Sequence, residues 1–418
     1  MRYQNHKYIT LHGMEEVLSN ATECSPRPVT VPTWSAINMI AARDVLTTID
    51  LPFRAKAAYD GFAISSNDAP GRFRLVGSVR VGEVPSFSVG RMEAVYVTTG
   101  AYLPDGGVDA VVPEEDAELD GDQVTIGQVE KGANVDAVGS YATRGGSKVL
   151  RAGGELITGH VIPALTEMGG IMEVEAYGKL RVAVLSTGSE LIRPRDVESA
   201  RSAFLSGKVI ESTGSLAAWF ISSYMPYLSV NEMDLVVDDV DEVRHALRRL
   251  IDNNDIVITT GGSGPGDIDY AWEGIKSLNP RWSVRGMRMR PGRPTSVAVI
   301  GDCKVVFGLS GHPISALNAL INLVDPFVKR MLGIRRAAAW PIARGKLTTA
   351  VNAEPGFLTQ VRVRASIREG GELLFTPLGG GSSVTSSLAA TDGLITLRGG
   401  PAPSGAVVDA FMLREPGD

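Results

Sequence analysis

Apolar positions change their spacing several times along the chain. Met14–Val17–Leu18 and Ile37–Ile40–Ala41 have helical spacing, so residues 8–50 read as mainly helical. Residues 51–145 change character: RFRLVGSV, EAVYVTTG, DAVVPEE and DQVTIGQV are short β-rich pieces separated by Gly, Pro and Asp, which predicts a small β-rich domain. Residues 146–176 return to Gly-punctuated helix in HVIPALTEMGG.

From 177 to 335 the pattern alternates. RVAVLSTGSEL is a buried strand running into a turn, and DIVITTGGSGPGD is a second strand with a Gly-rich loop. Between them, Val243, Leu247, Leu250 and Ile251 mark an amphipathic helix over Asp241–Asp252. KVVFGLSGHPISALNALINLV is a third strand, then a helix with Pro313 in its first turn and Leu317, Leu320, Ile321 and Val324 on one face. Strands alternating with helices predict a parallel α/β sheet. Residues 336–418 are strand- and turn-rich, which predicts a terminal β-barrel or sandwich. The fold class is therefore multidomain, α/β plus β.

Composition narrows the function classes. The chain has 418 residues, 44% of them hydrophobic and 21% charged, enough for cores of ordinary size. A net charge of −6 argues against a broad nucleic-acid footprint. Two distant cysteines, Cys24 and Cys303, exclude a disulfide framework, and five scattered histidines make no zinc spacing. The polar start MRYQNHKYIT has no apolar core of a signal peptide, and no run approaches a membrane span, so a cytoplasmic protein without membrane insertion is expected.

Three loops follow the strands of the α/β segment: STGSEL (186–191), TTGGSGPGD (259–267) and LSGHP (309–313). Ligands of open α/β sheets bind at the carboxyl ends of strands, and glycines let backbone N–H groups approach phosphate. Each loop alone is as readily a tight turn; three together favour a ligand site. No Walker A, GxGxxG or GxSxG pattern occurs, which argues against a P-loop enzyme or a nucleophile-elbow hydrolase. RGMRMRPGRP places Arg285, Arg288, Arg290 and Arg293 close together, and guanidinium groups suit phosphate. Asp60, Glu190, Asp238, Asp239, Asp267 and Asp269 are turn or cap formers taken singly; near a phosphate loop they could hold Mg2+.

In this order the stretches resemble the MoeA/gephyrin E-domain family, the molybdenum insertases. AAYDGFAI, VTTGAYLPDGGVDAVVPEE, LSTGSEL, TTGGSGPGDIDY, MRPGRP, GLSGHPISA and SSVTSSLAATDGLITL carry the resemblance, which spans about residues 14–412. It implies four domains: a discontinuous helical one (8–50 and 146–176), a small β-rich one (51–145), an α/β molybdopterin-binding-like one (177–335) and a C-terminal β domain (336–418). It also implies an elongated homodimer with active sites between subunits. The family reaction joins molybdate to adenylylated molybdopterin, with loss of AMP and with Mg2+ involved. Carried over residue by residue, Asp60, Glu190 and Asp269 would serve metal or molybdate, with Thr99 among the catalytic set. Gly100, Gly188, Gly261, Gly262, Arg290, Gly292, Arg293, Ser310 and Gly311 would hold the ligand, and Ser382 or Ser383 matches a serine of the last domain.

The departures concern chemistry more than fold. The family's arginine-rich RRRGED segment corresponds to DAVGSY, with Tyr141 in the acidic position. Both lysines of KPGKP are Arg290 and Arg293, an Asp is Glu211, the Asn of PGNP is His312, and an expected arginine near the last PG turn is Phe357. Molybdate is a dianion, so lost positive charge weakens its steering. Two readings follow. One is an active insertase. The other is a gephyrin-like dimeric scaffold that grips a linear peptide, from a membrane receptor or a division protein such as FtsZ, with exposed aromatics such as Phe357 as anchors.

Overall fold

A computed structural model describes residues 11–21, 27–167, 170–193, 195–262, 269–335, 337 and 340–417. Strand pairing ties distant parts of the N-terminal half together. Strand Pro28–Pro32 pairs with Glu173–Tyr177, and Val45–Leu46 with Lys148–Leu150, so the 28–46 and 148–177 segments form one unit. Its secondary structure differs from the helical expectation. Met14–Leu18 and Ile162–Glu167 are helices, but Ile40–Ala41 is a strand paired with Ala176 and Tyr177. Only part of that apolar spacing is buried: Ile40 packs against Leu156 and Leu180 and Ala41 is buried, while Ile37 is exposed. The β-rich pieces of 51–145 form a six-stranded sheet that includes Gly71–Val79, Glu93–Val97, Ala110–Pro113 and Gln123–Ile126.

The α/β unit is a six-stranded sheet. Strand Leu180–Thr187 lies between Leu228–Val236 and Ile256–Gly261, followed by Lys304–Leu309, Ser296–Ile300 and Trp282–Arg285. The first four are mutually parallel, but Ser296–Ile300 runs antiparallel to both its neighbours, Lys304–Leu309 and Trp282–Arg285, which corrects the expectation of a purely parallel sheet. The cause is local. Only residues 301–303 separate Ile300 from Lys304, too few for a crossover, so the chain makes a hairpin with Gly301 at φ +58°.

Side chains alternate across this sheet. Ile256, Ile258, Val305 and Phe307 join a core with Phe220 and Ile221 of helix Thr213–Tyr224 and with Leu317 and Phe327 of the 313–331 helical stretch. Val257 and Val306 face the other side, against Val243, Leu247 and Leu250. Helices thus cover both faces, and each fully buried aliphatic or Phe side chain contributes about 1.5–3 kcal/mol. Helix Val240–Asn253 forms where the heptad-like pattern placed it, capped by Asp239, which accepts from Asp241 N at 2.9 Å and Glu242 N at 3.0 Å.

The C-terminal domain is a closed barrel. Its strands run in the order Leu358–Ile367, Leu373–Pro377, Ile342–Leu347, Val407–Met412 and Gly393–Leu397, and Leu358–Ile367 also pairs with Gly393–Leu397 to close it. Strand Met289–Arg290 of the arginine segment adds to the barrel in parallel, Met289 opposite Leu358 and Arg290 opposite Thr359. Cys303 is disulfide-bonded, which corrects the expectation that the cysteines form no disulfide framework; Cys24 lies outside the described residues. No helix among the described residues is long and apolar enough to cross a membrane.

Candidate functional site

The three loops start side by side because their strands are in register. Thr187 lies opposite Gly261, and Thr260 opposite Leu309. Gly261 has φ +92°, and a Cβ there would come within 2.2 Å of Thr187 O, so only glycine lets the first two loops approach this closely. Thr213 Oγ1 donates to Gly311 O at 2.7 Å and ties the third loop to the start of helix Thr213–Tyr224. Residues 263–268, including Asp267, lie outside the described residues.

Beyond these strand ends opens a cavity of about 970 Å3. Thr187, Glu190, Asp238, Gly261, Gly262 and the 310–313 turn line it from the sheet, and the 289–294 segment lines it from the barrel side. Ser382, Ser383 and Thr385 of the last domain complete the rim. Their loop is held by Arg362, whose guanidinium donates to Gly379 O at 3.1 Å and Gly380 O at 2.8 Å. The PG turn of the arginine segment is fixed from behind. Asn318 Nδ2 donates to Pro291 O at 2.6 Å, and Thr295 Oγ1 donates to Gly292 O at 2.7 Å. The side chains of Arg290 and Arg293 are about half exposed, at 49% and 48%.

Family models match nearly the whole chain. Residues 10–169 match the MoeA N-terminal region (domain I and II), 183–330 a probable molybdopterin binding domain, and 344–413 the MoeA C-terminal region (domain IV). The molybdopterin molybdenumtransferase of Staphylococcus aureus is 31% identical over 380 residues, which cover 89% of this chain and 87% of that protein. The chain belongs to the MoeA family. A crystal structure of a MoeA protein of molybdopterin biosynthesis from Pyrococcus horikoshii is similar at 27% identity, with a TM-score of 0.74 over 97% of this chain and all of that one. A second from the same source shares the fold at TM-score 0.77 and 23% identity.

The residues singled out from the MoeA resemblance fall into three places. Glu190, Gly261, Gly262, Arg290, Gly292, Arg293, Ser310 and Gly311 line the cavity. Gly188 lies just behind, with the Glu190 carboxylate folded over it: a Cβ at 188 would come within 2.8 Å of Glu190 Oε2. Asp269 does not line the cavity. It caps helix Tyr270–Lys276 by accepting from Trp272 N at 2.9 Å, and it pairs with Arg285 at 2.6 Å. Burial raises its pKa above the usual carboxylate range, partly offset by the Trp272 N–H and the Arg285 charge. Asp60, Thr99 and Gly100 belong to the β-rich domain, outside the cavity lining. Thr99 donates to Asp60 Oδ1 from Oγ1 at 2.7 Å and from its backbone N–H at 2.6 Å, which lowers the Asp60 pKa.

Among the described residues no three His, Cys, Asp or Glu side chains gather to hold a metal unaided. Mg2+ uses one or two carboxylates plus ligand phosphates and water. Glu190 and Asp238 fit that donor set: both line the cavity, and Asp238 Oδ1 is buried without a hydrogen-bond partner among the described residues. Thr187 Oγ1, in the same cavity lining, is likewise buried without a partner among the described residues.

The departures from the MoeA pattern have distinct surroundings. Glu211 is buried and accepts from Gly214 N at 2.6 Å and Ser215 Oγ at 3.1 Å, capping a helix at the cavity wall. His312 N donates to Ser310 Oγ at 3.3 Å within the third loop. Tyr141 is exposed, donates to Asp136, and lines a separate cavity of about 700 Å3 with Phe53, Lys56 and Tyr102. Phe357 is half-buried beneath the two cavity arginines, its ring 5.4 Å from Arg290 Cζ and 4.9 Å from Arg293 Cζ. Glu354 pairs with Arg290 at 2.5 Å and with Arg293 at 3.4 Å. Sequence reasoning missed Glu354 and Thr385. Glu354 precedes a PG turn, but only the pairing of Met289 with Leu358 brings that turn to the arginines.

Proposed function

We propose that this chain is a molybdenum insertase, which joins molybdate to adenylylated molybdopterin and releases AMP. The observation that carries the reading is the convergence of three glycine loops, two guanidinium groups and three carboxylates on one 970 Å3 cavity in a MoeA-family chain. Such a cavity offers backbone N–H groups and Arg290 and Arg293 to the ligand's phosphates. Ser310, Ser382 and Ser383 offer hydroxyls to oxyanion oxygens. Glu190 and Asp238 would hold Mg2+ against the phosphates, where the ion neutralises negative charge. Insertion joins molybdate to the pterin's dithiolene while water cleaves the phosphoanhydride to the adenylyl group and AMP leaves, and the chain's part is to hold both anions together in a site with fixed donors.

Asp60 and Thr99 are outside the lining, so their use at this cavity requires a second copy of the chain. A homodimer with sites between subunits, as the resemblance implies, supplies that. Asp60 is suited to the task because the Thr99 donors keep it ionised to low pH.

The peptide-scaffold reading loses its named anchor, since the Phe357 ring is engaged by Arg290 and Arg293. Genetic complementation tests the choice. In a cell lacking its insertase, the wild-type gene is expected to restore a molybdoenzyme, and the double variant Arg290→Gln, Arg293→Gln to lower that activity by at least about tenfold. A soluble, folded protein that restores nothing would overturn the insertase reading and return the search to a peptide partner.

A further inference from the structure

The geometry points to Glu354 as an internal competitor for the ligand anion, with Phe357 as the platform that holds the two arginines ready for either. The inference rests on the reading that Arg290 and Arg293 receive the ligand's phosphate.

Glu354 belongs to the barrel domain, while both arginines belong to the segment that lines the cavity. Its Oε2 lies 2.5 Å from Arg290 and 3.4 Å from Arg293, so a single carboxylate oxygen bridges two guanidinium groups. The Phe357 ring packs against the same two groups at 5.4 and 4.9 Å. Two like charges are therefore held close together by one counter-charge and one aromatic face. The carboxylate is 39% exposed, so it can leave into water when an anion arrives. Neither Glu354 nor Phe357 lines the cavity, so the exchange need not rearrange its wall.

The exchange sets a preference. A monoanion replaces a monoanion and gains little. A doubly charged oxyanion, such as a phosphate diester pair or a pyrophosphate, meets both guanidiniums and gains Coulomb attraction beyond what Glu354 gives. Glu354 thus acts as a specificity-determining residue: it keeps the arginines paired in the free protein and selects for multiply charged ligands.

The test is calorimetric titration of the full chain with inorganic pyrophosphate at two salt concentrations. Glu354→Gln is expected to tighten binding about fivefold, since two exposed ion pairs are removed from the competing state. Its affinity should also fall more steeply with salt, because the emptied site carries one more positive charge. Phe357→Leu keeps every charge and should loosen binding about threefold through loss of the ring face. Thermal melts of each variant separate these effects from misfolding. If Glu354→Gln binds no tighter while Arg290→Gln, Arg293→Gln loses binding, the competitor is overturned and the anion site stands. If the arginine variant binds as well as wild type, or wild type itself does not bind pyrophosphate, the anion-site reading fails and takes the competitor with it.

Discussion

Asp269 shows how a residue singled out for chemistry can be held by structure. It follows the glycine-rich stretch, accepts the Trp272 N–H as a helix cap and balances Arg285, whose Nε is itself buried without a partner among the described residues. Asp269→Ala removes the cap and strands a largely buried charge, so a loss of roughly 2–4 kcal/mol is expected in urea unfolding. Asp269→Asn keeps an acceptor for Trp272 and should cost about half as much. The pH dependence carries a definite sign. With its pKa raised by burial, folded Asp269 holds a proton to higher pH than the unfolded chain does. Its contribution to stability therefore declines as pH rises from the ordinary carboxylate pKa through the raised one. The wild-type slope in that window should flatten in Asp269→Asn; an unchanged slope would remove Asp269 from the account.

At the scale of elements, the site depends on how near two loops can come. Gly261→Ala would force a Cβ against Thr187 O at 2.2 Å from a left-handed backbone, so a cost of about 3 kcal/mol is expected, with loss of anion binding. Gly301→Ala is the control. It also has positive φ, +58°, but its Cβ would meet nothing within 4 Å, so about 1 kcal/mol is expected and the cavity is untouched. Equal losses at the two positions would mean that backbone strain, not close approach, explains Gly261. The three loops were legible in the sequence because each glycine run follows a strand-length apolar run, a purely local signal. The antiparallel edge at Ser296–Ile300 was hidden in a hairpin, and Ile37–Ile40–Ala41 mimicked a helix because a two-residue strand has no period of its own. Glu354 was illegible for a stronger reason. Its role exists only because the arginine strand adds to the barrel across the cavity, a pairing between residues 289 and 358 that no local pattern announces.

At the scale of the whole molecule the question is whether one chain makes a complete site. The cavity carries Glu190, Asp238, Arg290 and Arg293, while the Asp60–Thr99 pair sits in another domain and does not line it. Two inactive variants can decide this. Asp60→Ala leaves the cavity intact, and Arg290→Gln, Arg293→Gln leaves the Asp60 domain intact. Each alone should fail to support a molybdoenzyme. Coexpressed, chains that pair in the proposed homodimer would form mixed dimers in which one site receives both lesions and the other receives neither. With random pairing of equal amounts in a two-fold dimer, half the dimers are mixed and one of their two sites is intact, so activity should return to about a quarter of wild type. Light scattering should show a dimer for every variant, which keeps loss of assembly from passing as loss of chemistry. If each site is instead built from one chain, neither protomer of a mixed dimer is whole, and coexpression restores nothing. An Asp60→Ala variant that by itself supports the molybdoenzyme as wild type does would instead confine the reaction to the 970 Å3 cavity's own residues and leave Asp60 with its Thr99 hydrogen bonds as a local turn.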